Sequence, residues 1–125
     1  MSDLYRQIIL DHYKNPKNQR KILKPTVIKK GHNPLCGDHI EVHMRINKNE
    51  LEDISFEGKG CALSIATSSI LTEELKGKKI EDIKKMTRED VYALIGIDVT
   101  PARNKCVMLP LTTIKQALQE GERSE

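Results

Sequence analysis

Residues 39–58 read HIEVHMRINKNELEDISFEG, and the fold turns on their period. Ile40, Val42, Met44 and Ile46 alternate with His39, Glu41, His43 and Arg45, the two-residue repeat of a strand with one face on a core and the other in water. Asn47–Glu50 supplies turn chemistry, and Leu51–Gly58 returns with Ile54 and Phe56 on one face, which makes the segment an antiparallel hairpin. On this reading His39 and His43 lie on the solvated face. After Gly60 the period lengthens. Ala62, Ile65, Ala66, Ser69, Ile70 and Glu73 fall at helical spacings until Gly77 ends the run.

Working outward, Ser2 or Asp3 caps a first helix reaching about Lys14, with Leu4, Ile8 and His12 on one stripe and Tyr5, Ile9 and Tyr13 beside it. On that stripe His12 reads as a packing or capping residue. Pro16 stops the helix, a polar connector follows, and Val27 and Ile28 mark another strand. Beyond the central helix, residues 79–86 and 88–96 read as two short helices and residues 106–120, CVMLPLTTIKQALQE, as the last. Pro110 has no N–H to donate, so it is expected in that helix's first turn, with Cys106 at or just before the start. The order predicts an α+β fold in a single domain, 1–125, with helices packed on one face of a small three-stranded antiparallel sheet. A chain of 125 residues can bury such a core without disulfide staples.

Charge narrows the function classes. Lys and Arg number 21 against 18 Asp and Glu, spread along the chain, and aromatic residues make up only 3%. A nucleic-acid surface concentrates basic residues and interleaves aromatics, so no nucleic-acid partner is expected. The amino terminus lacks the uninterrupted apolar region of a signal peptide, and no apolar run approaches membrane-spanning length. The expected compartment is cytoplasmic, where three cysteines mean metal binding, catalysis or burial rather than a disulfide framework.

The three cysteines share a kind of position. Cys36 sits in the loop of NPLCGD (33–38), Cys61 follows Gly-Lys-Gly at a helix start, and Cys106 opens the last helix. A helix amino terminus and a neighbouring lysine, Lys59 or Lys105, both favour thiolate, the form that binds metal and attacks sulfur. Asp38 and Cys36 fall on the core-facing parity of the strand, so three sulfurs and a carboxylate could complete a tetrahedral zinc site or hold an iron–sulfur cluster. Free cysteines are also ordinary small buried hydrophobes, and separations of 25 and 45 residues match no zinc-finger spacing. His32 lies near the NPLCGD loop. Ser64, Thr67, Ser68 and Ser69 read as small residues for close helix packing, the lysines at 76, 78, 79, 84 and 85 as a solvated surface, and Arg103 and Lys105 as candidates to steady a thiolate or orient a carboxylate.

The wording around these residues goes further. LYRQIILDHYKNPKN, NPLCGD, GKGCALSIATSSILTEELKGK and RNKCVMLPLTTIKQAL, in that order over almost the whole chain, resemble the IscU/NifU-type iron–sulfur scaffold family. The resemblance implies the IscU-like (SufE/NifU-type) fold, with Cys36, Cys61 and Cys106 as site cysteines and Asp38 as the aspartate that binds metal or keeps a bound cluster labile. It implies a cysteine desulfurase as sulfur donor, with Cys36 and Cys106 as candidate persulfide acceptors. It further implies a [2Fe–2S] cluster or iron as cargo, apo iron–sulfur proteins or carriers as recipients, and a monomer or cluster-bridged dimer. Lys105 stands where IscU-like chains carry histidine, and the stretch DVTPARNKC looks like the SufU branch, whose members bind zinc and accept sulfur from their desulfurase. The extra segment that SufU-type chains carry between the second and third cysteines is missing here. Scaffold and zinc-dependent sulfurtransferase both remain open at this point.

Overall fold

The computed structural model describes residues 3–34, 37–97 and 99–124. Helix α1 (Asp3–Lys14) leads through a connector to strands β1 (Val27–Asn33), β2 (Asp38–Asn47) and β3 (Glu50–Lys59). Helices α2 (Ala62–Leu75), α3 (Ile80–Lys84) and α4 (Arg88–Ile95) follow, then a single 3₁₀ turn (Pro101–Arg103) and α5 (Asn104–Ser124). The strands form one antiparallel sheet in the order β1-β2-β3. The expected helix, hairpin and sheet pattern is therefore present.

The hairpin closes through Lys48 and Asn49, both with positive φ (52° and 65°), the conformation a two-residue hairpin turn requires. Register then shifts between Arg45 and Ile46, so that Arg45 faces Asp53 while Ile46 faces Leu51. This bulge turns Leu51 onto the same face as Ile54 and Phe56, and all three are fully buried. Simple alternation from the turn does not yield that placement.

Two apolar clusters lie on one side of the sheet. The first joins Ile40, Val42, Met44, Ile54 and Phe56 to Ile65 and Leu75 of α2 and to Ile114 and Leu118 of α5. The second joins Ala66 and Leu71 of α2 to Ile9 of α1, Val91 and Ile95 of α4, and Val107 and Leu111 of α5. Helix α2 is thus buried over most of its surface, and Ser64, Thr67, Ser68, Ser69 and Thr72 are buried with its apolar residues. Small hydroxyl residues suit this position because they let neighbouring helices approach. Two of them return their hydrogens to the helix itself, Ser68 donating to the Ser64 carbonyl at 2.9 Å and Thr72 to the Ser68 carbonyl at 2.9 Å. Close approach also explains Gly31 in β1, where a Cβ would stand 2.0 Å from Thr113 Oγ1 of α5.

Three expectations need correction. Pro110 is not in the first turn of α5. The helix begins at Asn104, so Cys106 lies inside it and Pro110 sits a turn further on. The buried run Val107, Leu109, Pro110 and Leu111 carries the helix through a residue that donates nothing to the Cys106 carbonyl four positions back. Of the apolar residues assigned to α1, only Ile9 is buried, and Leu4 is 65% exposed. Third, His43 is not solvated but 3% exposed. The connector is the cause. It begins beside β3, where Arg20 N–H donates to the Phe56 carbonyl at 3.1 Å, and ends beside β2, where Thr26 N–H donates to the Met44 carbonyl at 2.7 Å. Between these points Ile22 is buried and Arg45, from the face away from the helices, donates to the Leu23 carbonyl. The outer face of the sheet is therefore partly roofed.

Candidate metal centre

Asp38 is the first residue of β2, pairs with Asn33 at the end of β1, and is fully buried, as its parity in the strand predicts. Its Oδ1 accepts a hydrogen bond from the Cys61 N–H at 2.8 Å. Its Oδ2 is buried with no hydrogen-bond partner among the described residues. Gly60 permits this approach, because a Cβ there would lie 2.6 Å from Asp38 Oδ1.

Cys61 caps α2. Its backbone is extended (φ −70°, ψ 166°) and its Sγ accepts from the Ser64 N–H at 3.4 Å. A sulfur in this role faces the positive end of the helix dipole. Cys106, in the first turn of α5, is 1% exposed and accepts from Asn33 Nδ2 at 3.9 Å, a contact of N–H···S length. The carboxylate of Asp38 and the sulfurs of Cys61 and Cys106 offer ligand atoms all within 4.8 Å of one another. The three residues lie 23 and 45 positions apart in sequence, so one end of the central strand and two helix starts are gathered at one point.

Cys36 lies outside the described residues. The segment before it ends in Asn33, whose carbonyl accepts from the Gly37 N–H at 3.0 Å, and Gly37 takes a positive φ of 73°. Asn33 was not singled out by the sequence reading, although it opens the NPLCGD motif. Its signal was there in the motif, but its partner Cys106 is 73 residues away.

Among the other candidates, Arg103 and Lys105 are exposed, and Lys105 lines an open cleft of about 280 Å³ with His32, Asn33, Pro34 and Met108. His12 is a packing residue, with Nδ1 2.6 Å from Ser69 Oγ, which also accepts from the Lys17 N–H at 2.7 Å. Burial, reinforced by the Lys17 charge, lowers its pKa. Neutral His12 then accepts the Ser69 hydroxyl hydrogen.

A donor set of two sulfurs and a carboxylate with one oxygen unpartnered fits a thiophilic metal or iron bound to sulfide. The comparisons with known proteins agree with that chemistry. A "Zinc-dependent sulfurtransferase SufU" of Bacillus subtilis is 34% identical over 139 aligned positions, which cover 98% of this chain and 94% of the relative. An "Iron-sulfur cluster assembly scaffold protein IscU 1" of Archaeoglobus fulgidus is 36% identical over 115 positions, covering 92% of this chain and 74% of the relative. The solved N-terminal part of a nitrogen-fixing NifU-like protein from Brucella abortus superposes with a TM-score of 0.82 at 19% identity, covering 98% of this chain and 97% of that one, which establishes the shared fold. The family model for the NifU-like N-terminal domain matches residues 4–124, and the chain belongs to that family.

Proposed function

We propose that the protein is an iron–sulfur cluster assembly scaffold. Iron and sulfide are its cargo, held by Cys36, Cys61, Cys106 and Asp38 as a [2Fe–2S] cluster and then handed on. The observation that carries this reading is the convergence of Asp38, Cys61 and Cys106 within 4.8 Å, with Asp38 Oδ2 buried and unpartnered. A carboxylate oxygen is a harder donor than thiolate, so the Asp38 bond is the weakest in the set and the one at which an acceptor's thiolate displaces the scaffold.

Sulfur arrives as a persulfide on a cysteine desulfurase. A scaffold thiolate, Cys36 or Cys106, attacks the outer sulfur and the donor cysteine leaves as thiolate. Two electrons from a reductant then release the sulfur as sulfide to iron. Cys106 is 1% exposed, so an incoming enzyme reaches it only if the site opens.

A second reading has its own support. The Bacillus relative named as a zinc-dependent sulfurtransferase aligns over nearly the full length of both chains, and Arg103-Asn104-Lys105-Cys106 has the wording of that branch. In that case zinc occupies the same donors and one cysteine shuttles sulfur.

Purification without oxygen, followed by assay of metal and acid-labile sulfide, tests the proposal. The scaffold reading expects iron and sulfide in equal amounts, with loss of both in Cys61→Ser. Stoichiometric zinc without sulfide, retained after iron and sulfide are supplied, would favour the shuttle.

A further inference from the structure

The outer face of the sheet, away from the cysteines, carries a second set of metal donors. Glu41 of β2 and Glu57 of β3 are direct partners in the antiparallel ladder, and His43 stands two residues along the same face. One carboxylate oxygen from each glutamate and one ring nitrogen of His43 all lie within 4.8 Å of one another. Two carboxylates directly opposite each other repel, and a cation between them relieves the repulsion. The nearby lysines do not fill that role closely. Lys30 Nζ is 3.9 Å from Glu41 Oε2 and Lys21 Nζ 3.9 Å from Glu57 Oε1, and both side chains are mostly in water. They also leave Glu41 Oε1 to His43 Nε2, at 2.8 Å.

The surroundings of His43 point the same way. Its side chain is 4% exposed, so the ring is fixed rather than free to turn into solvent. Its Nδ1 is buried without a hydrogen-bond partner, and so is the hydroxyl of Ser55, the residue directly opposite it in β3. A histidine that binds metal through Nε2 carries its hydrogen on Nδ1 and gives it to an acceptor behind the ring. Ser55 Oγ, on the residue directly across the ladder, is the candidate for that acceptor. An open cleft of about 510 Å³, lined by Glu41, Glu57, His32 and His39, gives water and ions access to the glutamates.

We propose that Glu41, His43 and Glu57 form a binding site for a divalent first-row transition metal, with water in the remaining positions and Ser55 orienting His43 from behind. One imidazole and two carboxylates suit Zn²⁺, Co²⁺, Fe²⁺ or Mn²⁺ better than Ca²⁺ or Mg²⁺, whose ligands are all oxygen. The site is independent of the cysteines, because the core-facing Asp38 and the outward Glu41 lie on opposite faces of β2.

The test is a titration of the full chain, first with one equivalent of Zn²⁺ to fill the cysteine site, then with Co²⁺. Calorimetry counts equivalents, and the absorption spectrum tells the sites apart, since only thiolate ligation gives an intense near-ultraviolet charge-transfer band. The expected result is one equivalent of Co²⁺ bound without that band. Glu57→Gln and His43→Gln should each weaken the second equivalent at least tenfold, and Ser55→Ala about tenfold, while the first equivalent stays intact. Glu57 is half-exposed, so Glu57→Gln decides the matter even if His43→Gln fails to fold. Wild-type protein that binds no second equivalent, or a second equivalent of unchanged affinity in Glu57→Gln, would overturn the site. A cysteine site that fails to bind shows itself separately, as a missing thiolate band in a titration with Co²⁺ alone.

Discussion

Asp38 is placed at a cost in stability. One oxygen is held by the Cys61 N–H and the other is buried with no partner. An unsatisfied buried oxygen costs about 1–3 kcal/mol, while the lost bond to the partly buried Cys61 N–H is worth about 1 kcal/mol and water can replace it. Asp38→Ala should therefore raise the melting temperature of the metal-free protein by a few degrees and, with cluster bound, slow transfer to an acceptor. Paired melting and transfer assays check both, and transfer at the wild-type rate would remove the labile-ligand role. Cys61→Ser and Cys106→Ser should each abolish most metal binding, and the double variant should lose no more than either single one, because both sulfurs serve one site. His12 makes a pH prediction. Its lowered pKa means that the unfolded chain binds more protons than the folded one between the folded value and the ordinary histidine value. Stability should rise with pH through that window and be lost as pH falls through it. His12→Gln should flatten this part of a melting-temperature profile. At this scale the sequence made Asp38 legible by strand parity and the cysteines by their helix starts. Asn33 was not legible, because its contact with Cys106 spans 73 residues and asparagine before proline reads first as a turn residue.

The elements were more legible than their surroundings. Hairpin and helix periods are local properties, and β2, α2 and α4 lie where the period and caps put them, α4 with a Thr87–Asp90 capping box. What escaped a sequence reading was set by packing between distant segments. The bulge at Arg45/Ile46 moves Leu51 inward, the connector roofs His43, and burial carries α5 through Pro110. None of these leaves a periodic trace. The contact of β1 with α5 yields a prediction at this scale. Gly31→Ala would place a methyl 2.0 Å from Thr113 Oγ1, on a buried side chain with no room to withdraw. The expected loss is about 1–3 kcal/mol by denaturant unfolding, and Gly31→Ala/Thr113→Ala should recover part of it. No recovery would mean that the two elements do not meet as closely as described.

For the whole molecule, the fold serves to bring one end of the sheet and two helix amino termini to a single point, where Asp38, Cys61 and Cys106 meet. No helix among the described residues is long and apolar enough to cross a membrane. The family is shared by relatives named as scaffolds and one named as a zinc-dependent sulfurtransferase. Binding to a desulfurase cannot separate these roles, since both receive persulfide. Turnover can, because a shuttle must clear sulfur from the enzyme's cysteine before the next cycle. The most direct measurement mixes the zinc-loaded protein with its own organism's cysteine desulfurase, cysteine and a reductant, first without iron and then with it. The scaffold account predicts sulfide production near the basal rate without iron, and the visible absorbance of a [2Fe–2S] cluster once iron is added. Many-fold stimulation without iron, lost in Cys36→Ser, and no cluster after iron is supplied would contradict it.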